Sequence, residues 1–219
     1  MVGLDARQLE ADGPAPEWDV VTLIGEGPNG RMYLAEERAP GRRMVAVKII
    51  AALDSPEAAR ARLEAVLPDL KSLAHPNIAA VIGGGTTAEG APYLVSEYVP
   101  AVSLECALAR APIAIEVRLL IAKRVAAALE YAHARAQAHG HVAGTNVLLP
   151  GRSPLAARLV DHGAAGIAGR TATVGGDVTA ILELIRTLLP EIPALCSNAV
   201  SAAEICALVD SEIRRQTGN

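Results

Sequence analysis

Phenylalanine is absent from this chain of 219 residues, which holds one tryptophan and four tyrosines. Aromatic rings cannot fill the interior, so the 51% hydrophobic content has to build a core from Leu, Ile, Val and Ala. Loosely filled space between helices is a hazard of that composition. Cysteine is scarce too: Cys106, Cys196 and Cys206 form an odd, scattered set. They give neither a disulfide framework nor metal-ligand spacing, and read as buried thiols in a reducing compartment. No basic block interrupts a formal charge of −4, which removes the electrostatic signature of a nucleic-acid partner. No segment reaches the roughly 18 consecutive apolar residues of a membrane span. The N-terminus also lacks a basic region followed by an apolar run. Neither export nor membrane insertion is expected, and the cytoplasm is the default location.

What is present suffices for one two-lobed domain or two small ones. Residues 1–16 are polar, with Pro14 and Pro16, and read as a leader of little structure. From Val20 to Ile24 an apolar strand runs into Gly25-Glu26-Gly27-Pro28-Asn29-Gly30, and Arg31 to Glu36 continues as a second strand. Such a glycine run alone also fits an ordinary hairpin turn or a dinucleotide fold. In the dinucleotide fold, however, the third glycine opens a helix. Here Met32-Tyr33-Leu34 is strand-like, a Pro40-Gly41 turn follows, and Val45-Ala46-Val47-Lys48 is strand again. Asp54 or Ser55 then caps a helix with Pro56 in its first turn, and Pro68 is expected to kink or end it. Val81 to Gly85 and Ala91 to Tyr98 read as strands, and Ser103 caps a short helix.

Val117, Leu120, Ile121, Val125, Leu129 and Ala132 recur at three- and four-residue intervals and predict a helix from Ile115 to about Ala138. A strand hairpin should follow, with Val147 to Leu149 and Ala157 to Val160 as arms around Pro150-Gly151-Arg152-Ser153. Val178 to Leu189 and Ser201 to Arg215 read as helices separated by Pro190 and Pro193.

Between the long helix and that hairpin stands His139-Gly140-His141-Val142-Ala143-Gly144-Thr145-Asn146, and the hairpin ends in Asp161-His162-Gly163. These resemble the catalytic loop His-Arg-Asp-Leu-Lys-Pro-x-Asn and the Asp-Phe-Gly motif of the protein kinases. The glycine loop with Val-Ala-Val-Lys, the turn His75-Pro76-Asn77-Ile78 and the hinge-like Tyr93 to Pro100 extend the likeness from about Trp18 to Leu189. The resemblance implies an α+β, kinase-like bilobal fold, with a β-rich N-lobe over residues 17–99 and a helical, truncated C-lobe over 100–219. It also implies ATP and Mg²⁺ as cofactors. Gly25, Gly27 and Gly30 would let the backbone approach phosphates, and Lys48 would hold the α- and β-phosphates. Ala46 belongs to the same nucleotide site, and Leu148 would form the floor under the adenine. Ser96 takes the gatekeeper position, while the Glu97 carbonyl and the Val99 N–H would meet the adenine edge. Asn146 and Asp161 would be the Mg²⁺ ligands, both hard oxygen donors.

Much of the chemistry is missing from this frame. His141 stands where the catalytic Asp should be, Ala143 where the Lys should be, and Gly140 where the Arg should be. His162 replaces the Phe, no Ala-Pro-Glu motif follows, and the segment from Gly163 to Gly176 is a small glycine-rich loop. In the helix that should bring a Glu to Lys48, Val66 takes its place. Glu64 lies two residues, or about 200°, away around the helix and should face away from Lys48. Three readings follow. One is an ATP-binding pseudokinase that regulates or scaffolds a protein partner, such as a partner kinase, with self-association possible through the apolar surface a short C-lobe leaves. The second is a weakly active or atypical kinase using Lys48, Asn146 and Asp161, with His141 as a further candidate, since a neutral imidazole can accept a proton. The third is an interaction module that has abandoned nucleotide.

Overall fold

β3 (Met44–Ile50) is the centre of the first sheet, its Val45, Ala46 and Val47 buried as β-branched and small residues allow. Around it lie β1 (Trp18–Gly27), β2 (Gly30–Glu37), β4 (Val81–Thr86) and β5 (Pro92–Glu97). The strand order is β1-β2-β3-β5-β4, with every neighbouring pair antiparallel. The computed structural model describes residues 18–38, 41–151, 156–196 and 199–218. The expected leader, 1–16, lies outside them, as do Pro40, Arg152 and Ser153 of the expected turns. Ala35, Val45, Val47 and Val95 make a small aliphatic core, with Trp18, Ile82 and Tyr93 packed against it.

α1 (Pro56–Ser72) starts where its cap predicts: Ser55 Oγ accepts from the Ala58 N–H at 3.1 Å, and Pro56 occupies the first turn. Ala59, Leu63 and Leu70 face inward. A Cβ at Gly84 of β4 would meet the Tyr93 carbonyl oxygen of β5 at 2.8 Å and crowd the Leu63 and Leu67 methyls, so this glycine serves both the strand pairing and the close approach of the helix. Of the two outcomes expected at Pro68, a kink or an end, the end does not occur, and the helix runs on to Ser72. The hydrogen bond it removes would run to the Glu64 carbonyl, and both residues are exposed, so that carbonyl is not buried without a donor.

The chain divides into two compact units. The first takes residues up to Leu73, Ala80–Tyr98 and Ala164–Thr171, and the second takes Ala74–Ala79, Val99–Gly163 and Ala172 onward. The second unit holds a small antiparallel sheet of β6 (Ala101–Ser103), β7 (Val147–Pro150) and β8 (Arg158–Leu159). The turn at residues 75–79 is fastened to it: Asn77 Nδ2 donates to the Ala157 carbonyl at 2.7 Å and the Ala79 N–H to the Leu159 carbonyl at 2.9 Å. α2 (Leu104–Arg110) is capped by Ser103, whose Oγ accepts from the Cys106 N–H. α3 (Ile115–His133) is the unit's axis, with Ile121, Ala126, Ala128, Leu129 and Ala132 fully buried. α5 (Val174–Leu188) and α6 (Ala202–Thr217) pack on it.

α3 stops at His133, about a turn before the expected Ala138. Ala136 adopts a left-handed φ of 56°, its N–H bonding the His133 carbonyl, and the Gln137 N–H reaches back to the Ala132 carbonyl. This C-terminal cap uses alanine where glycine is usual, so the apolar periodicity carried no mark of it. Cys106 is exposed, while Cys196 and Cys206 are partly buried; the expectation of buried thiols fails for Cys106 because it lies on the solvent side of the short α2. Among the described residues no helix is long and apolar enough to cross a membrane.

Candidate functional site

In the first unit the glycine run closes the β1–β2 hairpin, with Gly27 paired to Gly30 across the tip Pro28-Asn29. Gly30 is fixed by sterics: its φ is 123°, and a Cβ there would overlap the Ile49 carbonyl oxygen. Gly25 and Gly27 are different. A Cβ at Gly25 would meet only Met32 Cβ at 3.8 Å, and one at Gly27 would meet nothing within 4 Å. Nothing in the protein's own packing demands glycine at these positions, yet glycine in a strand costs about 0.5–1 kcal/mol relative to alanine. Strand register lines Gly25, Met32, Lys48 and Leu94 in one row across four strands, with Leu34, Ala46 and Ser96 in another. Lys48 is buried, at 9% exposure, and Glu97 ends β5. On α1 the exposed Glu64 pairs with Arg60 at 3.1 Å, while Val66 lies on the half-buried side.

The segment expected to be a glycine-rich loop is more ordered than that. α4 (Ala164–Ile167) buries Ala164, Ala165 and Ile167 in the first unit. Arg62 of α1, gripped by both carboxylate oxygens of Asp54, donates Nε to the Ile167 carbonyl at 2.9 Å, and the Leu53 N–H donates to the Ala168 carbonyl. Arg170 reaches the hairpin tip, with Nε donating to Asn29 Oδ1 at 2.7 Å and Nη2 to the Pro28 carbonyl at 3.0 Å. α5 then starts at Val174, earlier than expected, because Thr173 caps it by accepting from the Gly176 N–H.

In the second unit the loop after α3 is built on Asp177, the residue just ahead of the helix expected from Val178. Its buried carboxylate accepts from the backbone N–H groups of His139 (2.7 Å) and Gly140 (2.8 Å) and from His133 Nε2 (2.9 Å). Burial pushes the Asp177 carboxyl up, but these hydrogen bonds outweigh it and hold the group below the usual carboxylate range. His139 is fully buried, which lowers its pKa. It donates Nε2–H to the Val160 carbonyl at 2.8 Å and accepts the His141 N–H at Nδ1. His162 is buried edge-on to His139, with ring centroids 5.0 Å apart.

Asn146 decides what His141 can offer. Asn146 Nδ2 donates to the His141 carbonyl oxygen at 2.9 Å, and since a carbonyl only accepts, the amide orientation is fixed. The second hydrogen of that amide meets His141 Nδ1 at 3.1 Å. The neutral ring is therefore an acceptor at Nδ1 and carries its proton on Nε2. The nitrogen left over, Nε2, is an N–H, whereas a general base needs a lone pair. The same contacts turn Asn146 Oδ1 away from His141, leaving a hard oxygen donor. Asp161, at the end of the hairpin, holds a φ of 70°. Val99 follows the hinge and Leu148 sits in β7, both half-buried. Elsewhere in this unit, β6, α2 and the start of α3 enclose an apolar cavity of about 410 Å³, whose lining includes none of the nucleotide-matched residues.

A family model for protein tyrosine and serine/threonine kinases matches residues 19–173. The chain belongs to the protein kinase family. It is 32% identical over 215 residues to serine/threonine-protein kinase PknK of Mycobacterium tuberculosis, covering 94% of this chain and 18% of that protein. To serine/threonine-protein kinase pkn3 of Myxococcus xanthus it is 29% identical over 160 residues, covering 72% of this chain and 29% of that one. The chain thus spans under a third of the length of the curated relatives it matches. The crystal structure of the M. tuberculosis PknI kinase domain shares the fold, with a TM-score of 0.70 at 22% identity over 93% of this chain and 96% of that one.

In this kinase-like fold the β-sheet unit carries Gly25, Gly27, Gly30, Ala46, Lys48 and Glu97, and the helical unit carries Val99, His141, Asn146, Leu148 and Asp161. Two features escaped the sequence. Asp177 could have been found from its acidic side chain within an apolar stretch. Arg170 could have been found as a lone cation in a segment otherwise made of small residues.

Proposed function

We propose that this chain is a pseudokinase: a kinase-fold domain that binds ATP, with Mg²⁺, and acts as a regulatory or scaffolding protein rather than by phosphotransfer. The observation that carries this reading is the His141–Asn146 pair. Both amide hydrogens of Asn146 are spent on His141, so Oδ1 is left as the acceptor a Mg²⁺ would take, while the imidazole already accepts at Nδ1 and carries its proton on Nε2, where a base needs a lone pair. A positioned base is worth about 10²- to 10⁴-fold in rate, and the absence of Lys at Ala143 adds to its loss. The nucleotide half of the site supports binding. Gly25 and Gly27 keep backbone bare with no internal need for it, and Lys48 lies in the row of Gly25, with Met32 between them. Asn146 and Asp161 are two hard donors, too few to hold Mg²⁺ without phosphate oxygens to complete its shell. Metal is therefore expected only together with nucleotide.

The test is a thermal melt with ATP, with and without Mg²⁺, alongside a phosphotransfer assay on the chain itself and on a generic Ser/Thr substrate. With about 1 mM ATP and a Kd near 10 μM, stabilisation of about 2.7 kcal/mol is expected. That is about 5–10 °C in Tm, reduced in Lys48→Ala and losing its Mg²⁺ dependence in Asp161→Ala. Turnover abolished by Asp161→Ala would make the chain an active kinase instead. Absence of any shift would leave a nucleotide-free interaction module.

A further inference from the structure

We infer that Arg170, fixed on the tip of the glycine hairpin, is the cation that receives the terminal phosphate of the bound nucleotide. This rests on the ATP-binding reading above and names a ligand-binding residue that the kinase motifs do not contain. A guanidinium has five N–H donors in a rigid planar fork. In Arg170 the edge formed by Nε and Nη2 is used within the protein, on Asn29 Oδ1 at 2.7 Å and the Pro28 carbonyl at 3.0 Å. Among the described residues the remaining Nη1–Nη2 edge has no hydrogen-bond acceptor. That edge carries the two parallel donors that suit bidentate contact with a phosphate.

The surroundings hold the fork in place. Asn29 is 2% exposed, and its backbone carbonyl accepts from the Ala51 N–H, so the platform under Arg170 is anchored to the end of β3. On the other side, Gly169 at a φ of 96° and the buried Ala165, Ile167 and Ala168 fix the chain leading to Arg170. The arginine is thus oriented from two directions before any ligand arrives, which lowers the ordering cost of binding.

The chemistry of the hairpin also calls for a donor at this point. In kinases the glycine-rich loop covers the phosphates, but Pro28 at the tip has no N–H to give. The catalytic loop supplies no cation either, since Ala143 stands at the position of the Lys. Lys48 is matched to the inner phosphates, which leaves the Mg²⁺ that Asn146 and Asp161 would hold as the one positive charge the kinase motif set offers the outermost phosphate. Arg170 supplies one positive charge and up to three free N–H groups on the hairpin itself.

The experiment compares the affinities of ATP, ADP and AMP for the full chain and for Arg170→Ala, Arg170→Lys and Asn29→Ala, in the absence and presence of Mg²⁺. Losing a charged hydrogen-bonded contact lowers affinity by about 10- to 100-fold. Arg170→Ala should lose that much for ATP while AMP binding changes little. Arg170→Lys keeps the charge but not the fork, so it should recover only part, and Asn29→Ala, which frees the fork, should fall between. The ATP-to-AMP ratio is taken on one variant at a time, so a general loss of fold stability cancels. An equal loss for all three nucleotides would make Arg170 a structural strap and overturn the inference, as would unchanged ATP affinity. A parent protein that binds no ATP would instead sink the nucleotide-binding reading, and this inference with it.

Discussion

His162 is 2% exposed, and neither ring nitrogen has a hydrogen-bond partner among the described residues. Burial lowers its pKa from 6.5 to about 3, with the neighbouring His139 acting in the same direction. Because the folded-state value lies below the unfolded one, the unfolded chain binds more protons between them, and stability rises with pH in that window. The contribution is complete above about 6.5 and is lost as pH falls towards about 3. At about pH 5 the loss from this one residue is about 2 kcal/mol, or about 4–8 °C in Tm for a chain of this size. His139 and His75, both lowered by burial, push the same way. His162→Leu should melt higher than the parent at neutral pH, since it removes two unsatisfied nitrogens at about 1–3 kcal/mol each. It should also flatten the Tm profile between about pH 7 and about pH 5. A variant profile as steep as the parent's would show that another group controls the acid response.

At the scale of elements, the glycine hairpin separates structural from ligand-related roles. Gly30→Ala drives a Cβ into the Ile49 carbonyl at a φ of 123°, so it should destabilise the fold by about 3 kcal/mol or more. Gly27→Ala meets nothing and should leave Tm unchanged or raise it by up to about 1 kcal/mol equivalent. It should nonetheless lower ATP affinity by about 10-fold by standing between backbone and phosphate. Melts without nucleotide and titrations with it distinguish the two effects; unchanged ATP affinity in Gly27→Ala would remove the hairpin from the site. The strands of this sheet were legible because Val45 to Lys48 and Tyr93 to Glu97 carry short apolar runs bounded by turn residues. The cap at Ser55 was legible for its local chemistry. By contrast, the end of α3 depends on a left-handed alanine, and α4 is held by Arg62, 105 residues distant from its partner Ile167. The Asp177 carboxylate meets His139 across 38 residues. Such pairings are set by the fold, and no window of neighbouring residues contains them. The loop motif itself was readable, but whether His141 offers a lone pair or a proton depended on an amide five residues on.

At the scale of the whole molecule, β1 offers this kinase-fold chain its clearest surface for a protein contact. It is an edge strand of the sheet, and Val21, Leu23 and Ile24 are 57%, 48% and 44% exposed among the described residues. Edge strands invite pairing with another chain unless charge, bulges or covering segments blunt them. β1 has register shifts between Val20 and Thr22 and between Leu23 and Gly25. Such bulges twist an edge away from strand addition, so side-chain burial is the more favourable mode of contact. The three exposed aliphatic side chains would contribute about 1.5–3 kcal/mol each if fully covered, and association costs offset much of that. Self-association through this strand alone should therefore be weak, seen by light scattering only at high concentration and abolished by Leu23→Lys, with ATP affinity unaltered. A strict monomer at every concentration would remove self-association and leave β1 to a different protein, for which Leu23→Lys is then the control in a binding assay with a candidate partner kinase.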